Sequence, residues 1–515
     1  MLWLITAVLL TAPASELSLA AMKGDVEKVE LLLADGADVN GAQGDGSTAL
    51  HWAAYREDAE LVRRLLEAGA DVTKRTRVGE MTPLFMAAQS GSGPAVELLL
   101  EAGADAGLAS TNGTTPLMVA AASGSVAAVG PLLDHGVDPN AVDVNHGQTA
   151  LMFAAASGRI DVMRLLAARG AEVGDTSLVP DPRKVEGDGG PKWRKGDIAL
   201  GGMAPLHFTA REGNIEAAQT LLDLGADVNQ LTSSNGSSAL LIAIFNAHFD
   251  FAMFLLSNGA DPKPAATSDG LTPLYAAIDS QWANRVWYPV PTTDEQHATH
   301  LELMRELIAK GADVDARLQA KLWQRQMHGD WVDPAGATAF WRAAQANDVP
   351  AMRLLVEAGA NPSIATKKGC SPLLVACGYG LEPQTSTFVP GARFDAVRYL
   401  VEELGADVNA PNKAGYTPLH GAALTAQNDL LEYLLAMGGN VNARASMILG
   451  GPEDPDEEVQ PGTGDTVADM ANGPKPHNLV HPESLALLEH FGSENSNNCR
   501  ASTCFNNAKK DSKKK

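Results

Sequence analysis

The feature that most constrains this chain of 515 residues is an internal repeat. Its clearest copy begins at Gly46, and related segments begin at Gly79, Gly113 and Gly147, at spacings of about 33 residues. The same register returns at Gly202, Gly236, Gly270, Gly336, Gly369, Gly415 and Gly464, and a degenerate first copy covers residues 15–40. Chain length alone would suggest roughly three or four compact domains, but the repeat predicts about twelve stacked units of one kind.

Each repeat carries the signals of a helical pair. A Thr can cap a helix start, a Pro is tolerated at the first helical position, and an Ala-Ala pair lets neighbouring helices approach closely. Each repeat then closes with an apolar pair and a Gly turn, as in Leu65-Leu66 before Gly69, where the Gly ends the second helix. Only 5% of the residues are aromatic, while Ala, Leu and Gly are abundant. The sequence therefore predicts an all-α fold of helix-turn-helix units.

A helical pair of this size cannot bury both of its apolar faces alone. Residues such as Leu61, Val62, Leu65 and Leu66 must therefore pack on the adjacent repeats, so that stability accumulates along the stack. The last repeat, residues 465–491, has the segment Val467–Ala471 in place of the usual start. We predict that this repeat is a cap.

The recurring elements are Thr-Pro-Leu-His, Ala-Ala, Leu-Leu and Gly-Ala-Asp-x-Asn, and on these motifs the chain resembles the ankyrin-repeat family. The resemblance covers nearly the whole of residues 15–494 and implies an ankyrin-repeat solenoid of about twelve units with finger loops. The chain is also similar to exported bacterial ankyrin-repeat proteins of unknown partner. In the Thr-Pro-Leu-His slot or its variant, His51, His207 and His420 are expected to hydrogen-bond within and between repeats.

Several insertions interrupt the repeats, at residues 174–201, 281–297, 317–334, 380–391 and 446–463. Loops on a rigid frame tolerate insertions and often carry the contacts. Five of the seven Trp residues that follow residue 14 lie in these insertions. The aromatic candidates for partner contacts are Trp193, Trp282, Trp287, Tyr288, Trp323 and Trp331, because large rings are common interface hot spots. The alternative is that these rings only pin their own loops as small satellite cores.

Family resemblance adds a second group of candidate contacts. Ankyrin proteins bind through finger tips and inner helices, which points to Lys74, Arg75 and Arg77 on one finger of this chain. The formal net charge of −23 makes nucleic acid and anionic membranes poor partners. The expected partner is therefore a protein, and the chain alone is expected to be monomeric.

The two ends of the chain predict export and a polar tail. Residues 2–10 are apolar, and Ala12-Pro13-Ala14 follows with the small-x-small form of a signal-peptidase site. We predict a signal peptide over residues 1–14, with the mature protein in the periplasm or at the cell surface. The run is too short to span a bilayer, and no Lys or Arg precedes it. The alternative is that the start of the chain is misread and the protein is cytoplasmic. At the other end, residues 495–515 are predicted to form a polar tail.

The four Cys residues exclude a disulfide framework in so long a chain. Cys370 and Cys377 lie within one repeat and are predicted to be buried free thiols. In the tail, Cys499 and Cys504 could form a disulfide in an oxidising compartment, or remain a free pair. No neighbouring His completes a metal site, and no cofactor is expected.

No motif of reaction machinery occurs in the chain. The sequence has no G-x-S-x-G elbow, phosphate-binding G-x-x-x-x-G-K or H-E-x-x-H motif. We therefore expect no enzyme but a scaffold or adaptor of the cell envelope, acting through its concave groove and the Trp-bearing insertions. A permanent stabiliser or inhibitor subunit of one envelope complex is one alternative. The other is an enzyme with a site built from the insertions, using Asp294, Glu295, His297 or His300 as acid-base groups.

Overall fold

The structure is a computed structural model that describes residues 15–179, 201–283, 293–322, 332–381, 387–446, 464–472 and 480–495. Within these ranges it contains 24 α-helices, a 3₁₀ turn at Thr293–Glu295 and a π-helical turn at Tyr399–Glu403. The only β pairing among the described residues consists of two isolated bridges. The prediction of an all-α fold with about twelve helical pairs is confirmed. The chain divides into two compact units. The N-terminal unit is Met1–Ala239, and the C-terminal unit is Leu240–Lys515.

In the N-terminal unit, the helices form two rows. The first helices of the repeats are α1 (Glu16–Lys23), α3 (Ala49–Tyr55), α5 (Pro83–Ser90), α7 (Pro116–Ser123), α9 (Ala150–Ala156) and α11 (Pro205–Glu212). The second helices are α2 (Val26–Ala34), α4 (Ala59–Glu67), α6 (Gly93–Glu101), α8 (Val126–Asp134), α10 (Ile160–Ala168) and α12 (Ile215–Asp223). Each first helix packs on the next first helix, and from α4 onward each second helix packs on the next second helix.

The C-terminal unit has the same two kinds of helix. The first helices are α13 (Ala239–Phe245), α15 (Pro273–Gln281), α17 (Ala339–Gln345), α19 (Pro372–Ala376), α21 (Pro418–Leu424) and α23 (Val467–Ala471). The second helices are α14 (Phe249–Ser257), α16 (His300–Ala309), α18 (Val349–Glu357), α20 (Arg393–Arg398), α22 (Asn428–Ala436) and α24 (Pro482–His490). Helix α20 continues directly into the π-helical turn.

Helix boundaries follow the local signals in the sequence. In the third repeat the Thr82 side chain accepts a hydrogen bond from the Phe85 N–H, and Pro83 occupies the first turn. Helix α5 ends at Gly91, whose φ of 83° lies in the left-handed region that favours glycine. The capping residues therefore mark where this helix begins and ends.

The core lies between the rows. Ala53 and Ala54 are buried, as are Leu61, Val62 and Leu65, while Leu66 is only half-buried at the edge of α4. Second helices α6 and α8 approach closely at Gly93, where an added Cβ would lie 2.6 Å from the Cβ of Ala127. Small residues therefore set the distance between neighbouring repeats.

Candidate functional site

The first helices of the N-terminal unit leave one face open. On each of them, the residue before the Ala-Ala pair or its variant, and the residue just after that pair, point away from the second helices. At these positions Trp52, Val119 and Phe153 are half-buried, and Tyr55 is exposed. We call these four residues the first-helix stripe. The stripe lies on α3, α7 and α9, and on the intervening α5 the equivalent residues are the buried Met86 and the exposed, polar Gln89.

Aromatic side chains make contacts at both ends of this face. At one end the rings of Trp52 and Tyr55 meet edge to face, with centroids 6.3 Å apart. At the other end the Arg211 guanidinium lies 5.1 Å from the centroid of the Phe208 ring. The face therefore has an aromatic pair on α3 and a cation on α11, with uncharged residues between them.

The three basic candidates, Lys74, Arg75 and Arg77, lie together on one exposed finger of the N-terminal unit. The Arg75 guanidinium pairs with Glu80 at 2.6 Å, and Lys74 lies 3.7 Å from an Asp71 carboxylate oxygen. Arg77 joins its finger to the preceding one, because its side chain donates to the Gly44 carbonyl at 3.0 Å. These cations already have partners on the fingers, and their contact with another protein stays a prediction.

In the C-terminal unit the equivalent face is closed from α15 to α21. Asp279 on α15, Arg342 and Gln345 on α17, and Leu424 on α21 hold the positions of the stripe, and all four are buried. Arg342 Nε donates to Asp279 Oδ1 at 2.7 Å, and its Nη2 donates to the Trp282 carbonyl at 2.7 Å. The two side chains of this ion pair are only 4% and 2% exposed, so the pair lies beneath other residues. The equivalent residues of α13 stay half-buried.

Loops of the chain itself cover this face. Gly380, just after α19, lies so close to Val332 that an added Cβ would stand 2.1 Å from the Val332 Cγ2 atom. Tyr379 lies against Gly421 of α21 and stacks at 5.2 Å on the ring of Tyr416. Two predicted insertions, residues 317–334 and 380–391, thus contact each other and the first helices.

One predicted contact residue, Trp282, forms part of a buried polar cluster. Its indole N–H donates to Asp348 Oδ2 at 2.8 Å, and His300 Nε2 lies 2.8 Å from the same oxygen. The other carboxylate oxygen of Asp348 caps α18 by accepting from the Ala351 N–H at 3.0 Å. This cluster joins the end of α15 to the starts of α16 and α18. Such a role is what the packing alternative expects of Trp282, and its role in partner binding stays a prediction.

The electrostatics of this cluster favour an ionised Asp348. Burial acts to raise the pKa of this carboxyl, but the hydrogen bonds from His300 and Trp282 outweigh it and lower the pKa below the ordinary value. An ionised carboxylate held by two donors and a helix N-terminus is a structural anchor. It is not poised to exchange a proton near neutral pH.

The three His residues of the Thr-Pro-Leu-His slot are buried structural groups. His51 Nδ1 accepts from the Thr48 N–H at 3.2 Å, and Nε2 faces the Met81 carbonyl of the next repeat at 3.1 Å. Burial lowers the pKa of His51, and it lowers the pKa of His207 and His420 to about 4. The predicted hydrogen bonding within repeats is confirmed for all three, and between repeats for His51 and His207.

The thiols of Cys370 and Cys377 are free and buried, as predicted. Burial raises the pKa of both thiols, which makes them poor nucleophiles. Across the described ranges, no group of three or more His, Cys, Asp or Glu side chains could hold a metal ion. Other predicted sites lie outside the described residues, namely Trp193, Trp287, Tyr288, Trp323, Trp331, Cys499 and Cys504.

Two rows of short helices joined by paired fingers define a class of repeat protein in which each unit is stable only against its neighbours. Models of ankyrin repeats match residues 17–110, 84–177, 206–317 and 391–435, and the model of a single ankyrin repeat matches residues 335–367. The first three matches alone cover more than half of the chain. The chain therefore belongs to the ankyrin-repeat family, whose members are protein-interaction scaffolds.

Known proteins share this repeat over part of their length. The chain is 28% identical to alpha-latrocrustotoxin-Lt1a of Latrodectus tredecimguttatus over 211 residues, which is 40% of this chain and 12% of the toxin. It is 36% identical to human ankyrin repeat and SOCS box protein 16 over 240 residues, or 45% of this chain and 43% of that protein. The crystal structure of the human ASB11 ankyrin repeat domain aligns with a TM-score of 0.37 and 29% identity, over 44% of this chain and 91% of that one. The chain spans less than half of the length of the curated relatives it matches.

Within the part of the chain that the structure describes, no helix has both the length and the apolar character to cross a membrane.

Proposed function

We propose that this protein is a non-catalytic scaffold that binds a partner protein through the first-helix stripe of its N-terminal unit. The observation that carries the proposal is the contrast between the two units. Apolar side chains remain accessible on α3, α7 and α9 of one unit, whereas from α15 to α21 the same positions of the other unit are buried. An apolar face that is left open in a soluble unit is a common mark of a contact surface.

The residues of the stripe suit this role. Trp52 and Tyr55 present large rings with few rotatable bonds, so that little conformational entropy is lost on binding. Uncharged Val119 and Phe153 continue the surface along the row. On α11, Arg211 pairs with Glu212 at 2.9 Å, so that a charged pair ends the apolar part.

A pair of matched substitutions tests the surface. Tyr55→Glu places a charge on the stripe at a residue that is 47% exposed, while Val126→Glu places the same charge on second helix α8 at a residue that is 44% exposed. Both changes should leave folding intact, because neither side chain is buried. Cross-linked capture from the native cells, followed by mass spectrometry, should recover one dominant partner with the wild type and with Val126→Glu, but not with Tyr55→Glu.

The opposite result would place the contact surface elsewhere on the chain. If Tyr55→Glu retains the partner and shortening residues 284–292 and 323–331 abolishes capture, the Trp-bearing insertions are the contact surface. If the partner also co-purifies in a fixed ratio without cross-linking, the chain is a permanent subunit of one complex, because stable association resists dilution.

The proposed setting is the cell envelope. Support comes from the apolar run at residues 2–10 and the small residues Ala12 and Ala14 that follow it. The mass of the protein isolated from its native cells tests this part independently. A mature chain that begins near Ser15 supports export, and an intact N-terminus in the soluble cytoplasmic fraction contradicts it.

A further inference from the structure

A groove in the C-terminal unit lies between the first turn of α18 and the side of α20. It has a volume of about 370 Å³, and its lining includes Asn347, Val349, Pro350, Val389 and Tyr399. This volume falls at the lower end of the range for small-ligand sites, about 300–1,000 Å³. The groove is therefore large enough for a side chain and its flanking backbone.

Asn347 is the residue of this groove that the fold itself does not explain. Its side chain is fully buried, and neither the carboxamide oxygen nor the carboxamide nitrogen has a hydrogen-bond partner. The backbone N–H is satisfied, because it donates to the Ala344 carbonyl at 3.0 Å. An unpaired buried amide weakens the folded state by a factor of about ten or more in the folding equilibrium.

The backbone conformation does not require asparagine. Asn347 has a φ of 56° in the turn between the two helices of its repeat. The same turn position holds Ala247, with a φ of 63°, and Ala426, with a φ of 55°, in the same unit. Alanine serves there without any buried polar group, so the turn does not need the carboxamide, although asparagine adopts a positive φ more readily than alanine.

The surroundings of the carboxamide indicate what would satisfy it. A carboxamide offers one acceptor and two donors in one plane, which matches the N–H and C=O of a peptide group. Val349, Pro350 and Val389 supply an apolar lining on which an aliphatic side chain can pack. A single water needs only about 30 Å³, which is far less than the groove provides.

One side of the groove is polar. Arg353 donates to both carboxylate oxygens of Glu403, at 2.8 and 2.5 Å, and thereby joins α18 to the π-helical turn. The same guanidinium lies 4.2 Å from the centroid of the Tyr399 ring. The loop at Val389 lies on the other side, and π-helical turns occur often at functional sites.

We propose that this groove binds an extended peptide segment of a partner protein. One peptide group of the segment forms two hydrogen bonds with the Asn347 carboxamide, and an aliphatic side chain packs on Val349, Pro350 and Val389. Because the carboxamide is closed to solvent, the loop at Val389 must shift outward when the segment binds. The site lies in a different unit from the first-helix stripe, so its failure would leave the proposed function standing.

The test combines stability and binding in the full-length chain. Asn347→Gly removes the carboxamide and keeps a residue suited to the positive φ, while Glu57→Gly makes the same backbone change at the equivalent turn of the N-terminal unit, where the side chain is exposed. Glu57→Gly thus reports the effect of glycine alone. We expect Asn347→Gly to raise the urea midpoint more than Glu57→Gly does, because it also removes the unpaired amide.

Binding is read with acetyl-leucyl-alanyl-leucine amide as the probe. Titration into the chain labelled with ¹⁵N-asparagine should shift the Asn347 side-chain signal in a saturable way, and Asn347→Gly should weaken binding about tenfold for the loss of two hydrogen bonds. Glu57→Gly should bind the probe as the wild type does. If Asn347→Gly is destabilising, the carboxamide already has a fixed partner such as a water, and the proposal fails. It also fails if the probe does not bind at about 10 mM, or binds both forms equally.

Discussion

Removal of the Asp348 carboxylate is expected to weaken the C-terminal unit by about 3–5 kcal/mol. Three donors depend on this carboxylate, namely the Ala351 N–H, the Trp282 indole and the His300 ring. Loss of the helix cap costs about 1 kcal/mol. The other two donors lose their acceptor in a site that is almost closed to solvent, because the Asp348 and His300 side chains are only 3% and 13% exposed. Each unpaired donor therefore costs about 1–2 kcal/mol of stability.

The assay is urea unfolding of Asp348→Ala at pH 7, with hydrogen exchange of peptides that cover residues 276–309. Exchange should rise at the end of α15 and the start of α16, because the cluster fixes both. Asp348→Asn keeps the shape and one acceptor, and should lose about half as much stability. A double-mutant cycle with His300→Ala should show a coupling of about 1 kcal/mol. A loss below about 1 kcal/mol for Asp348→Ala, or strict additivity with His300→Ala, would refute this account of the cluster.

The ionisation of the same carboxylate predicts how stability changes at acidic pH. Its pKa is lower in the folded chain than its ordinary value near 3.8, because the hydrogen bonds from His300 and Trp282 outweigh the effect of burial. A depressed folded pKa contributes stability that is fully present above the unfolded pKa and is lost as the pH falls through the folded pKa. The stability difference between wild type and Asp348→Asn should therefore shrink below about pH 4.

Three further predictions follow from single observations. Gly93→Ala should lose about 1–3 kcal/mol in the same urea assay, because its Cβ would lie 2.6 Å from the Ala127 Cβ of helix α8. Burial lowers the pKa of His207 to about 4, so this residue should contribute a loss of about 2 kcal/mol between pH 7 and pH 5 as the unfolded state takes up a proton, and His207→Asn should remove that share while the contribution of His420 remains. Cys370 and Cys377 should react with a thiol reagent only at the rate of unfolding, which stopped-flow measurements in urea can compare directly.

Helix boundaries were predictable because they depend on residues close together in sequence. Thr82 and Pro83 define the start of α5, and Gly91 defines its end, all within ten positions of one another. The open face could also be anticipated, since Trp52 and Phe153 hold the position just before the Ala-Ala pair of their repeats. A large apolar side chain at a position that faces away from the second helices is the signal that sequence reasoning passed over in favour of the insertions.

Which unit covers its own face could not be predicted from the sequence. The repeats that start at Gly270 and Gly336 are consecutive, so the register places α15 beside α17, but it does not show that Arg342 and Asp279 form a buried ion pair there. The concentration of Trp in insertions indicated aromatic loops but not the direction in which the rings would face. Asn347 gave no signal at all, because an asparagine in a turn is ordinary and only its burial without a partner makes it unusual.

The closed face of the C-terminal unit leads to a last prediction, which asks whether the covering loops or the helices themselves protect it. Gly380→Ala would place a Cβ 2.1 Å from Val332 Cγ2 and should force that loop away from the end of α19, at a cost of about 2–4 kcal/mol. Gly391→Ala is the matched control, because it has a similar positive φ of 73° but open space around it. Hydrogen exchange in α17 and α19 should rise in Gly380→Ala and stay unchanged in Gly391→Ala. Equal exchange in the two variants would mean that helix packing alone closes this face, and the contrast between the units would then no longer favour the N-terminal stripe as the binding surface.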